Sequence, residues 1–225
     1  VRAPLQAADP PPPVLWEERI LHLDPRLVVV NKPERWSSAP TPWGESGSCS
    51  FAVGKLHPKD RIRVVHRLDR MTTGVLIFAR TARAATSMQQ AFIEGRVRKE
   101  YLAITPAGPL PQHLRHPLAP TPEDPQRFSV SPAGEPAYTE VLSHHLLAPD
   151  RQLVHLRLHT GRTHQIRVHL HHEGCPVLGD NWYGGPQDPH LFLHAWRVHL
   201  TDPLLGDHLF TAPPPGWWPP LPPPL

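Results

Sequence analysis

The sequence predicts an α+β fold built around a mixed, largely antiparallel sheet. Apolar segments of strand length outnumber segments with helical spacing, which is typical of this class. A length of 225 residues favours one sizeable core over two small ones, and no internal repeat divides the chain. We therefore expect a single main domain in which helices flank one sheet.

The first half of the chain alternates predicted strands with one clear helix. Strands are predicted in LHLDPRLVVVN, which stops at Pro33, and then in IRVVHRLD and GVLIFAR. A helix follows, because apolar residues recur at helical spacing after Thr81, a suitable N-cap, and Gly95 provides a stop. The segment KEYLAIT then predicts another strand.

The second half is expected to begin with an irregular, exposed connection, because the chain is rich in proline up to residue 136. AYTEVLSHHLL and QLVHLRLHT predict paired strands, the second with one apolar and one basic face. THQIRVHLHHEG has helical spacing and ends at Gly174, and LFLHAWRVHLT predicts the last strand.

Composition sets the domain limits and the expected compartment. Proline accounts for 32 residues and is concentrated at both ends, so we expect flexible tails at 1–14 and 213–225 around a domain at 15–212. Two cysteines give no disulfide framework, and neither a run of about 18 apolar residues nor a signal-peptide pattern occurs. These features predict a soluble cytoplasmic protein.

Basic residues are concentrated in one part of the chain. Residues 61–100 carry nine Lys or Arg and three Asp or Glu, although the whole chain has a net charge of only +3. A localised basic face attracts polyanions, which makes nucleic acid the first partner to consider. A solvated surface without a partner is the alternative.

Three separated segments are dense in functional residue types: NKPERWSS, HRLDRMTTG and LHTGRTHQIRVHL. In this order, with KEY at 99–101 and GDNWYGG at 179–185, they resemble the RluA-type pseudouridine synthases, which isomerise uridine in RNA. The resemblance implies an eight-stranded mixed sheet with a central basic catalytic cleft and no metal or organic cofactor. It departs from the family at ERWSSAPTP and at Thr73, where serine is common.

The resemblance also implies residue roles. Asp69 would be the catalytic aspartate, Arg167 its partner, Tyr101 the ring that stacks on uracil, and Arg67 the side chain that fills the space of the flipped base. Base flipping costs a few kcal/mol, and an aromatic ring stacking on the base returns about 1–3 kcal/mol. The same segments supply further residues expected to bind the substrate: His66, Arg70, Thr73, Arg162, His164, Gln165 and Ile166.

The residue types leave the chemical route open. An ionised Asp69 could attack as a nucleophile or remove a proton from the sugar, and a nearby guanidinium favours the ionised form of a carboxylate. The Tyr101 hydroxyl is one candidate for the base that removes the proton from the ring carbon. The expected partner is structured RNA, either ribosomal or transfer RNA, bound by a monomer that needs no membrane and no obligate protein partner.

Simpler interpretations compete with these roles. Asp69 could only cap a turn, and the cleft could belong to a catalytically inactive RNA-binding module. Lys32 and Tyr183 are expected to be structural. The histidines at 164, 169, 171 and 172 lack the spacing of a helical zinc pair, so no metal site is predicted.

Overall fold

The computed structural model describes residues 14–41 and 44–222. It contains three α-helices, a 3₁₀ turn at Glu17–Arg19 and twelve strands within these ranges. The helices are α1 (Cys49–Leu56), α2 (Ala82–Ile93) and α3 (Gln165–His172). The strands of the first half are β1 (Ile20–Leu23), β2 (Leu27–Lys32), β3 (Arg63–Val64), β4 (Thr73–Ala79), β5 (Val97–Pro106) and β6 (His113–Leu114). Those of the second half are β7 (Leu118–Pro120), β8 (Phe128–Val130), β9 (Thr139–Ala148), β10 (Arg151–Leu158), β11 (Leu193–Asp202) and β12 (Gly206–Thr211).

Ten of these strands form one sheet. Its main path runs β1-β2-β4-β11-β5-β10-β9-β6, with β12 added to β11 and β3 added to β4. The pair β4 and β11 is parallel, and the other described pairs are antiparallel. The predicted α+β class with a mixed, largely antiparallel sheet is therefore confirmed. β7 and β8 form a separate small sheet.

Strand β2, which lies next to the parallel pair, is buried on both faces. In β2, Val28 and Val30 face one apolar cluster, and Leu27 and Val29 face another. Helix α2 covers the second cluster. Its N-cap is Thr81, whose hydroxyl accepts a hydrogen bond from the backbone N–H of Ala84. Double coverage explains why this strand is continuously apolar, without alternation.

The parallel contact requires a glycine. Gly74 has φ of +111°, and a Cβ there would lie 2.1 Å from the carbonyl oxygen of Ala195. No larger residue fits this close approach of β4 to β11. The contact places the Thr73 hydroxyl 2.8 Å from Nδ1 of His194 inside the protein.

Several sequence predictions need correction. The strand expected in IRVVHRLD is only two residues long, because the chain leaves the sheet after Val64. The imidazole of His66 then accepts a hydrogen bond from the backbone N–H of Ile77 at 2.9 Å.

The connection up to residue 136 is not wholly irregular, since it forms β6, β7 and β8 and buries Leu118. The basic face of β10 is balanced by carboxylates, because Glu100 and Glu140 pair with Arg157 and its histidine neighbours.

The two proline-rich ends were both expected to be flexible. Residues 1–13 and 223–225 lie outside the described residues. The described part of the C-terminal segment is packed, because Trp218 is buried in the main core and Trp217 stacks on His190 with ring centroids 4.2 Å apart. Two large aromatic side chains provide the apolar area that holds this segment in place despite its prolines.

Candidate functional site

The turn between β3 and β4 carries Asp69 and is fixed from several sides. The Ser38 hydroxyl bonds both the backbone N–H and the carbonyl of Leu68 at 2.9 Å, and the Leu68 side chain is buried in the core. The ammonium of Lys32 donates to the carbonyl of Arg70 at 2.9 Å on the other side. The Asp69 side chain remains 26% exposed. The turn therefore presents this carboxylate at a surface while its backbone is held rigidly.

Arg167 joins Asp69 to a second carboxylate. Its Nη1 donates to Oδ2 of Asp69 at 3.2 Å, while Nε and Nη2 donate to the two oxygens of Asp180 at 2.7 and 2.9 Å. Burial alone would lower the pKa of Arg167, but the hydrogen bonds and charge of Asp180 and the nearby Asp69 raise it. The guanidinium is thus permanently charged, oriented by Asp180 and directed at Asp69.

Asp180 is a site residue that the sequence analysis did not identify. Its side chain has no exposed surface, and Oδ1 also accepts hydrogen bonds from the backbone N–H groups of Trp182 and Tyr183 at 3.1 and 3.2 Å. The flanking Gly179 and Gly185 leave no room for a Cβ, which allows this tight loop. An aspartate between two such glycines in GDNWYGG was the available signal.

Tyr101 lies in β5 beside the same carboxylate. Its ring is 7% exposed and belongs to the main core cluster. Burial and the negative charge of Asp69 raise the pKa of the Tyr101 phenol well above its usual range. The hydroxyl is therefore protonated at neutral pH, and the ring is held in place by its neighbours in the sheet.

His164 also lies close to the Asp69 carboxylate. It precedes α3 with φ of +55°, and its Nδ1 is 2.9 Å from the Tyr183 hydroxyl. Its Nε2 is 3.9 Å from Oδ2 of Asp69, and burial lowers the pKa of the imidazole. Next to it, Trp182 exposes 41% of its surface. An exposed aromatic ring beside His164 and over the guanidinium of Arg167 is a further surface on which a base can stack.

Two of the predicted binding arginines are on the surface, where an RNA can reach them. Arg67 is exposed and makes no hydrogen bond or ion pair to any other residue that the structure describes. Arg162 donates to the carbonyl of Pro136 and pairs with Glu135. Arg70 is partly buried and donates from Nε to the carbonyl of Arg35.

Other predicted binding residues are placed in the interior. Thr73, Gln165 and Ile166 are 1–3% exposed, and the two polar side chains among them are bonded to protein groups. His66 accepts its hydrogen bond from the backbone, and burial together with Lys99 lowers the pKa of its imidazole to about 3. The structure therefore places Thr73, Gln165 and Ile166 in the interior and His66 partly buried, positions from which they support the site from within the protein.

Lys32 is fully buried under the Asp69 turn. Burial lowers the pKa of its ammonium to about 8, although the charge of Asp69 is among the groups that act in the other direction. Its ammonium donates to the carbonyls of Pro33 and Arg70, both at 2.9 Å. This geometry fits the structural role expected from the sequence and leaves no access for a phosphate.

Comparison with known proteins adds independent information about this site. Residues 26–172 match the family model described as RNA pseudouridylate synthase. The chain is 34% identical over 203 residues to the dual-specificity RNA pseudouridine synthase RluA of Escherichia coli (strain K12), covering 86% of this chain and 92% of that protein. It is 32% identical to the ribosomal large subunit pseudouridine synthase D of Pasteurella multocida, covering 90% of this chain and 67% of that protein.

The fold is also found among solved structures. Human RNA Pseudouridylate Synthase Domain Containing 4 superposes with a TM-score of 0.71 at 28% sequence identity, covering 90% of each chain. Among the described residues of the present chain, no helix has the length and apolar character needed to span a membrane. The matched region contains Asp69, Tyr101 and Arg167.

Proposed function

The chain belongs to the RNA pseudouridylate synthase family, and on this premise we propose that it converts uridine to pseudouridine in RNA, with Asp69 as the catalytic carboxylate. The observation that carries the proposal is the ordered set Asp69, Arg167 and Asp180. The buried carboxylate of Asp180 orients the Arg167 guanidinium toward Asp69. An aspartate that only caps a turn requires no such charged partner. The family membership and this geometry support the same residue.

Access to the reacting atoms requires that the nucleotide leave its stack. Flipping costs a few kcal/mol, and a cation that takes the vacated place reduces this cost. Arg67 is suited to this role, because it is exposed beside Asp69 in the chain and unpaired among the described residues. The extruded uracil would then lie against Tyr101, which forms a fixed aromatic floor.

The chemical step is assigned to the free side of Asp69. Oδ2 accepts the hydrogen bond from Arg167, whereas Oδ1 has no partner among the residues that the structure describes. Arg167 favours the ionised carboxylate, and the unpaired oxygen is available as a nucleophile or as a base. It attacks the ribose carbon as the bond to the ring nitrogen breaks, or attacks the ring, or takes a proton from the sugar; the ribose is then rejoined to a ring carbon. Both routes use the same oxygen and the same ionisation state.

The final proton must leave the ring carbon after the base is rejoined. A tyrosinate at Tyr101 would be a strong base, but the raised pKa of this phenol opposes its ionisation. Stacking is therefore the role that we assign to Tyr101. A water molecule held near Asp69 or His164 is the alternative acceptor, and both groups face the same space.

The substrate class that we propose is structured ribosomal or transfer RNA, acted on by a cytoplasmic monomer. The names of two relatives support the RNA substrate, since one is a ribosomal large subunit pseudouridine synthase and the other a dual-specificity RNA pseudouridine synthase. The basic segment 61–100 supports an RNA partner of either kind.

Pseudouridine mapping tests the proposal. Total bacterial RNA lacking these modifications is incubated with the wild-type protein, with Asp69→Asn, or with Asp150→Asn as a surface control. We expect new pseudouridine at defined uridines with the wild type and the control, and none with Asp69→Asn. RNA that is bound by all three proteins but modified by none would support the inactive binding module instead.

A further inference from the structure

Three side chains from two distant parts of the chain meet at the C-terminal end of α3. His116 comes from the connection between β6 and β7, His172 is the last residue of α3, and Glu173 follows it. One ligand atom from each lies within 4.8 Å of the others. Nε2 of His116 is 2.7 Å from Oε1 of Glu173, and the rings of His116 and His172 have centroids 4.5 Å apart.

We propose that His116, His172 and Glu173 bind a divalent transition-metal cation of the zinc class. Two imidazoles and one carboxylate are a ligand set that such ions use, with Zn–N and Zn–O distances of about 2.0–2.2 Å. Tetrahedral ligands at those distances are separated by about 3.4 Å, so the three atoms need to move by an ångström or so. His172 is exposed, which leaves an open side for water as the remaining ligand.

The surroundings of the cluster favour a cation. The carbonyl groups at the end of α3 give this terminus a partial negative charge, and Glu173 adds a full one. The backbone of His116 is held in place by the fully buried His169, whose Nε2 donates a hydrogen bond to the backbone carbonyl of His116 at 3.0 Å. A hydrogen bond of this kind holds a ligand-bearing loop in place when the metal is absent.

The proposed ion would join two parts of the site region. Its ligands link α3, which carries Arg167, to the long connection that includes β8. This connection is also linked to the other end of the helix through Tyr183. The Tyr183 hydroxyl accepts a hydrogen bond from the backbone N–H of Phe128 and lies 2.9 Å from Nδ1 of His164, the N-cap of α3. The expected role is structural, because the ligands lie at the end of α3 away from His164. This inference concerns a site separate from the proposed reaction.

Calorimetric titration of the tag-free protein with zinc chloride tests the proposal. We expect one Zn²⁺ per chain for the wild type, no binding of Mg²⁺, and a melting temperature that rises with the Zn²⁺ concentration. His172→Ala and Glu173→Gln should each weaken Zn²⁺ binding by about tenfold or more. His171→Ala, which removes an exposed neighbouring histidine outside the cluster, should bind as the wild type does.

Each other outcome would overturn the proposal. A wild-type protein that binds no Zn²⁺ would leave the cluster as a hydrogen bond between His116 and Glu173. Equal Zn²⁺ affinity in His172→Ala and the wild type would place the bound ion at other histidines. Circular dichroism before each titration verifies folding, and His172 is a suitable variant because its exposed side chain contributes little to the core.

Discussion

Replacement of Asp180 by asparagine is the sharpest probe of the charge arrangement. Asp180 forms two of the three described side-chain hydrogen bonds of Arg167, at 2.7 and 2.9 Å, and has no exposed surface. Asparagine keeps an oxygen for the backbone N–H groups of Trp182 and Tyr183, but the change removes the charge and turns the amide Nδ2 donor towards the Nε–H of Arg167. Removing one partner of a buried ion pair costs about 3–5 kcal/mol.

Urea unfolding and turnover of RNA measure the two consequences. We expect the free energy of unfolding to fall by about 3 kcal/mol or more, a large part of the roughly 5–15 kcal/mol typical of a folded protein. We also expect kcat to fall, because Arg167 loses the contacts that direct it at Asp69. The control is Asp150→Asn, whose pair with Arg151 is exposed at 3.7 Å and should contribute less than about 1 kcal/mol. Equal stability and equal turnover for both variants would refute this reasoning.

The remaining predictions concern the site ring, the strand junction and the dependence on pH. Tyr101→Phe should keep most of its turnover on a defined RNA, because the ring is assigned to stacking; a loss above about 100-fold would instead assign chemistry to the hydroxyl. Gly74→Ala should lose its cooperative thermal unfolding transition or melt far below the wild type, since its Cβ would lie 2.1 Å from a carbonyl oxygen; an unchanged melting temperature would contradict the close approach. Burial lowers the pKa of His66 to about 3, with Lys99 contributing, and burial lowers that of His194 to about 4. Unfolded histidines titrate near pH 6.5, so the unfolded chain binds more protons below that pH, and the free energy of unfolding should fall from pH 6.5 towards 4. NMR titration showing that either imidazole becomes charged near pH 6.5 would contradict this.

Local sequence patterns were sufficient for the elements with strong signals. The helix after Thr81 has its N-cap, its apolar spacing and its terminal Gly95, and α2 forms as expected. The strands β9 and β10 pair as predicted, and the pairing is antiparallel. Helix α1 was not predicted, because it is short and much of its support comes from long-range contacts around Ser37 and Ser38.

Packing at long range decided the features that the sequence did not reveal. The C-terminal prolines indicated a tail, but the two tryptophans between them find aromatic partners at His190 and Phe192, residues about 25 positions earlier. The basic face of β10 depends on strands β5 and β9 for its carboxylates, and the pairing register is not written in β10 itself. The alternation of residues in β10 predicts which side chains share its basic face, but it does not predict which side chains of β5 and β9 lie beside them.

The same distinction applies to the site. The resemblance to a known family predicted roles for Asp69, Tyr101 and Arg167, and the structure brings these three side chains close together. It did not point to Asp180, which holds the guanidinium of Arg167 through two hydrogen bonds. Thr73 and Gln165 lie in functional segments yet face the interior, because alternate residues of one motif point in different directions. A motif therefore locates a site more reliably than it assigns each side chain.

The most direct test of the central claim is the single-turnover rate of pseudouridine formation by Asp69→Asn on an RNA that the wild-type protein modifies. RNA affinity is measured on the same sample. We predict that the rate falls below detection while the affinity stays within about tenfold, or 1.4 kcal/mol, because the variant removes the reactive carboxylate and one negative charge from a basic surface. Formation of pseudouridine by Asp69→Asn at the wild-type rate would contradict the account.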